Sequence, residues 1–182
     1  MMITFRSKIT IKVLDYFFLN PETSHYVNEL ARLLDLDLKN LHRKLQELEK
    51  EGILKSEFRG KERYFFLNKS YPILDSYKDI FLKTVGVEGK IKEILHKVPG
   101  ISKAFIFGSY AENTMDADSD IDLLMVGKHS VIDLQKKINK LQKEIGREIN
   151  IINYDAEDFK KKQKTGDAFL KKIFSKKLIE LK

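Results

Sequence analysis

The chain has 182 residues, with 34 Lys and Arg against 27 Asp and Glu, a formal charge of +7, and neither Cys nor Trp. At about 150 residues per domain this makes one domain or two small ones, and 42% apolar with 34% charged residues excludes a low-hydrophobicity disordered chain. The missing cysteines exclude disulfides, thiolate catalysis and zinc ribbons.

Apolar runs such as Ala104 to Phe107 fall far short of the ~20 residues a membrane span needs, and the amino terminus lacks a signal-peptide core. A cytoplasmic protein without a membrane partner is expected. Charge by segment says more than the total. Residues 1–68 carry 12 basic and 10 acidic side chains, and residues 69–182 carry 22 and 17. Within the second segment, Glu112, Asp116, Asp118, Asp120 and Asp122 form an acidic stretch with no base, a place where cations can bind.

Ile9, Val13, Leu14 and Phe17 recur at helical spacing up to the stop signal Asn20-Pro21. A second helix begins near Val27 or Asn28, with Leu30, Ala31 and Leu34 on one face. After the turn Leu34-Asp35-Leu36, Asp37 caps a third helix whose buried face is Leu38, Leu41, Leu45 and Leu48, ending at Gly52. Two helices joined by so short a turn make a helix-turn-helix pattern. The outward face of the third helix offers Lys39, Asn40, Arg43 and Lys44, side chains able to contact phosphates and base edges. Two short strands, 53–58 and 62–67, then form a hairpin through Arg59-Gly60-Lys61. Arg59, Lys61 and Arg63 at its tip suit a wing along a phosphate backbone.

The stretches Val27 to Leu34 and Leu41 to Leu54 resemble the winged helix-turn-helix domains of small prokaryotic regulators. The resemblance implies a DNA-binding domain over residues 1–68. A connecting helix at 69–87 carries the stripe Ile73, Tyr77, Ile80 and Thr84, with Leu74 and Phe81 beside it. It packs on the first domain or pairs with its copy in a homodimer, and both arrangements fit the stripe.

A helix containing Ile91, Ile94, Leu95 and Val98 opens the region 88–182. Ile101 to Phe107 then reads as a buried strand that stops at Gly108-Ser109. Ten residues later Asp120-Ile121-Asp122 begins a second strand. Alternation puts Asp120 and Asp122 on one side, about 7 Å apart. Paired carboxylates at that spacing suit Mg²⁺, which usually completes its shell with substrate phosphates. A helix near 132–145 leads to a strand at 148–154, and Phe169, Ile173 and Phe174 mark a last helix before a closing strand at 178–181. His25, His42, His96 and His129 show no ligand spacing, and Lys160, Lys161, Lys162 and Lys164 read as a solvated helix face.

Phe107-Gly108-Ser109-Tyr110-Ala111 and Asp118-Ser119-Asp120-Ile121-Asp122-Leu123-Leu124 resemble the signature of the polymerase-β-like nucleotidyltransferase superfamily, closest to its minimal group, which includes antitoxins of toxin–antitoxin pairs. The resemblance implies an α+β chain: a winged helix-turn-helix followed by an α/β nucleotidyltransferase domain with a small mixed sheet. It implies Gly108 and Ser109 as nucleotide-binding residues, Asp120 and Asp122 as ligands of two Mg²⁺ ions, and an NTP as substrate for transfer to a hydroxyl. It further implies a third carboxylate on the following strand, where this chain has Asn150. An amide carries no charge and cannot act as a base. Glu148, two residues earlier on the same face, is the candidate to replace it as a catalytic group. The alternative is a transcriptional regulator or antitoxin-like protein, with a toxin as partner, whose transferase domain binds nucleotide and is weak or inactive.

Overall fold

The computed structural model describes residue 5 and residues 7–116 and 119–182, so Asp118 of the acidic stretch lies outside the described residues. The chain divides into two compact units, Met1–Val87 and Glu88–Lys182.

In the first unit, helix α1 (Lys8–Leu19) starts at Ser7, whose hydroxyl accepts from Thr10 N. Strand β1 (Ser24–Tyr26) runs directly into α2 (Val27–Leu34), which stops at Asp35 in the left-handed region, φ 49°. Asp37 then accepts from Asn40 N at 2.9 Å and starts α3 (Leu38–Lys50). Val13, Leu14, Phe17, Leu30, Leu41 and Leu45 are fully buried. Leu38, expected on the buried face, is 48% exposed, because it occupies the first turn, short of the stripe through 41, 45 and 48. Strands β2 (Leu54–Arg59) and β3 (Glu62–Leu67) form the hairpin, with β1 added antiparallel to β3, in the order β1-β3-β2. His25 ties β1 to both neighbouring helices. Its Nε2 is 2.6 Å from the Tyr16 hydroxyl, and its Nδ1 is 3.0 Å from Glu29.

Helix α4 (Leu74–Thr84) belongs to this unit and packs on it through Phe81, whose ring meets Phe18 at 5.4 Å. The buried row is Leu74 and Phe81 with Leu82, while Ile73 and Ile80 are more than half exposed. Tyr77 lies between the two rows and also turns inward, its ring 6.2 Å from that of Phe18, so of the apolar residues in the expected stripe only the isoleucines face out.

Helix α5 (Val87–His96) begins at the last residue of the first unit, and in the second unit it is followed by β4 (Ile101–Phe107), α6 (Gly108–Glu112), β5 (Ile121–Gly127), α7 (Val131–Ile145) and β6 (Ile149–Tyr154). Helices α8 (Ala156–Thr165) and α9 (Ala168–Phe174) and the two-residue strand β7 (Ile179–Glu180) follow. The sheet order is β6-β5-β4-β7, with only β5 and β6 parallel, the pairing that the α7 crossover requires. Leu124 and Val126 of β5 pack with Phe105, Phe159 and Leu170, so α8 and α9 cover that side of the sheet. Asp122 has the same parity along β5 and points to the same side.

Candidate functional site

Position 122 is fixed from both sides by pairing: Phe107 lies opposite it on β4 and Asn150 opposite it on β6. Directly opposite residues share a sheet face, so the Asp122 carboxyl has an aromatic neighbour on one side and an amide on the other. Gly108, one residue past Phe107, has φ +73°, and a Cβ there would lie 2.5 Å from Asp122 Oδ2. The glycine is needed twice, for its backbone conformation and for the carboxylate that lies against it.

Asp120 stands immediately before β5. Its Oδ2 accepts from Asn150 Nδ2 at 3.2 Å. Burial pushes the Asp122 carboxyl above the ordinary carboxylate value; the Asn150 amide opposes this and the Asp120 charge adds to it. The approach to Asp120 is anchored. Buried Arg147 donates from Nη1 to the Ser119 carbonyl at 2.7 Å, Ser119 Oγ donates to Asp116 Oδ1 at 2.7 Å, and Ile121 N donates to the Glu148 carbonyl at 3.0 Å. On the other flank, Tyr110 of α6 donates to buried Glu88 at 3.1 Å, holding the Gly108-Ser109 turn on α5. Asn113 closes α6 at φ 59°, and Glu112 pairs with Lys176 at 2.9 Å.

The expected residues separate into two sets. Gly108, Ser109, Asp120 and Asp122 gather at the ends of β4 and β5. Glu148 is exposed at the entry to β6, and among the described residues no three His, Cys, Asp or Glu side chains gather into a metal-holding group. Asn150 holds the place across from Asp122. Its exposed amide presents Nδ2 to Asp120, and rotation of the amide would present an oxygen. The donor set here is therefore two carboxylates and one amide, all capable of offering oxygen to a hard cation.

Sequence reasoning passed over the contribution of α9. A cavity of about 360 Å³ opens beside Gly108 and Ser109, and its far wall is Phe169 and Lys172. Helical periodicity marks α9 as amphipathic but carries no sign of what its partly exposed side faces. Arg147 is likewise invisible as an anchor, since its partner is a carbonyl 28 residues away.

In the first unit, Lys39, Asn40 and Arg43 are exposed on α3 and Lys61 is exposed beside Gly60. Arg43 nevertheless lies 3.9 Å from Glu47, and the other basic residues are engaged as well. Lys44 pairs with Glu47, and Arg59 pairs with Glu57 at 2.6 Å and lies 4.7 Å from the Tyr64 ring centre. Arg63, expected at the wing tip, instead folds back to α3. It meets Glu49 at 2.6 Å and Ser56 Oγ at 2.8 Å because its register partner is Phe58, inside the hairpin and short of its end.

The chain has counterparts among known proteins. The family model described as "Polymerase beta, Nucleotidyltransferase" matches residues 89–178, and a second, described as HVO_A0114, matches residues 19–68. A Methanocaldococcus jannaschii protein named "putative protein adenylyltransferase" is 38% identical over 73 residues, covering 38% of this chain and 76% of that one. The chain belongs to the polymerase-β nucleotidyltransferase family. Among solved structures, a toxin–antitoxin with AMP-PNP has 19% identity and a TM-score of 0.39, over 52% of this chain and 72% of that one. A mutant toxin–antitoxin structure has 17% identity over the same shares, also with a TM-score of 0.39.

Proposed function

We propose that the second unit transfers a nucleotidyl group from a nucleoside triphosphate to a hydroxyl acceptor with Mg²⁺, and that the first unit is a winged helix-turn-helix that binds DNA. The observation that carries the transferase reading is the Asp122 carboxyl seated on Gly108 with the Asp120 charge beside it. Two carboxylates with an amide in reach fit Mg²⁺, a hard cation that completes its shell with phosphates and water. When bound, the ion neutralises phosphate charge and stabilises the oxygens of an in-line displacement. In this reading Asp120 and Asp122 hold it, while Ser109 and the open backbone at Gly108 meet the phosphates. The name of the Methanocaldococcus relative supports an adenylyl group as what is transferred and a protein as acceptor.

Asn150 favours a second reading. An uncharged amide opposite Asp122 cannot take the proton of an acceptor hydroxyl, which suits a regulator that binds nucleotide and turns it over slowly or not at all.

Incubation with α-labelled NTPs and Mg²⁺, with wild type beside Asp120→Ala and Asp122→Ala, separates the two. Label transfer that both substitutions abolish is the expected result. Tight nucleotide binding with no transfer to any acceptor replaces the enzyme with the regulator, and transfer untouched by either substitution defeats the assignment of the carboxylates. For the first unit, a gel shift on the DNA upstream of its own coding region should weaken steeply with salt, since each phosphate contact releases counterions. A salt-insensitive shift, or none, removes DNA from the function.

A further inference from the structure

We infer that α9 is the nucleoside-holding wall of the transferase site, with Phe169 stacking the base of the bound triphosphate and Lys172 meeting its phosphates. The inference rests on the transferase reading and adds two residues to it. The cavity beside Gly108 and Ser109, about 360 Å³, lies within the ~300–1,000 Å³ of small-molecule sites. It begins where the carboxylate pair ends. Gly108 lines it on one side and touches Asp122 on the other, and Phe107, also in its lining, is the cross-strand neighbour of Asp122.

The far wall has the two chemistries a nucleotide needs. Phe169 is 40% exposed, a large ring left in contact with solvent, and it stands nearly perpendicular to Phe107 at 6.3 Å and 88°. Exposed aromatic faces accept bases of any sequence by stacking. Lys172 follows three residues later, hence on the same side of α9. Among the described residues no carboxylate lies within ion-pair distance of it, whereas its neighbour Lys176 is held by Glu112 at 2.9 and 3.1 Å. The Lys176–Glu112 pair fastens the end of α9 to α6, and so fixes the wall against the turn that carries Ser109. The wall is thus one aromatic ring and one cation at a set distance from the phosphate-binding turn.

The test uses the full-length protein with Mg²⁺ and two probes, α,β-methylene-ATP and inorganic tripolyphosphate, titrated calorimetrically. Phe169→Ala should weaken the ATP analogue by about 5- to 100-fold, the range for loss of one base–aromatic stack, and leave tripolyphosphate within about twofold. Phe169→Tyr should restore binding. Lys172→Ala should weaken both probes by about tenfold or more. A Phe169→Ala protein that loses tripolyphosphate as strongly as the nucleotide shows a merely structural ring and overturns the inference. So does an unchanged affinity for the nucleotide, which would leave the cavity to an acceptor. The underlying reading fails differently: wild type then binds neither probe, or Asp122→Asn binds both as well as wild type does.

Discussion

The carboxylate of Asp122 occupies the space in which any side chain at position 108 would begin, 2.5 Å from a Cβ placed there. The glycine and the aspartate are therefore a single fitted pair, joined across the β4–β5 ladder at its open end. Gly108→Ala adds a methyl group at φ +73°, which costs about 1–2 kcal/mol from the backbone alone. It also drives the carboxylate away from the turn. The variant should stay folded with a lowered urea midpoint and lose more than about tenfold in Mg²⁺-dependent nucleotide affinity; titration calorimetry reads the second effect. Full affinity would mean that Asp122 does not act from this position.

Asn150→Asp places a charge where β6 faces Asp122. A positioned base contributes about 10² to 10⁴ in rate, so transfer of label should rise by at least about tenfold. Glu148→Gln, at an exposed position outside the carboxylate group, should change the rate by less than about twofold. A large loss in Glu148→Gln with no gain in Asn150→Asp would reverse these roles.

The basic residues of the first unit should divide by their partners. Lys39→Ala and Lys61→Ala, at exposed positions of α3 and of the hairpin, should leave stability unchanged and each lower the salt dependence of DNA binding by about one counterion. Arg63→Ala breaks the link between β3 and α3 formed with Glu49 and Ser56, and should cost about 1 kcal/mol in urea unfolding. Equal effects of Arg63→Ala and Lys39→Ala on the salt slope would count against this division.

Much of the first unit was legible in the sequence because its signals are local: Asp37 starts α3, Gly52 ends it, and leucines at 41, 45 and 48 face inward. The Gly108-Ser109 turn and the Asp120–Asp122 pair were legible for the same reason. Strand β1 was missed, since three residues carry no period and its pairing with β3 is made about 40 residues away. The closing strand shrank to Ile179–Glu180, although Leu181 and Lys182 still exchange backbone hydrogen bonds with Ala104. Arg63 and the α9 wall needed partners distant in sequence, and no spacing rule reports those.

Lys78 on α4 gives a pH signature independent of the site. Burial lowers its pKa below the usual lysine value, only partly offset by Asp75 and Asp79. A lysine with a depressed folded pKa destabilises the fold while charged, so stability should climb as pH rises from that lowered value towards 10.5, where the unfolded chain also loses its proton. Lys78→Met should be the more stable protein at pH 7, and its advantage should shrink at pH 10.5. Urea melts at the two values measure this, and a constant difference would contradict it.

The parallel ladder of β5 and β6 keeps Asn150 facing Asp122 whatever the side chain there, since the register is set by the apolar residues at 149 and 151 and by the α7 crossover. Asparagine and aspartate codons differ at one base. An aspartate in place of Asn150 is thus a single point mutation, with no insertion, slip or repacking required. Charge at this position can therefore change by one base while the backbone that presents it to Asp122 stays the same.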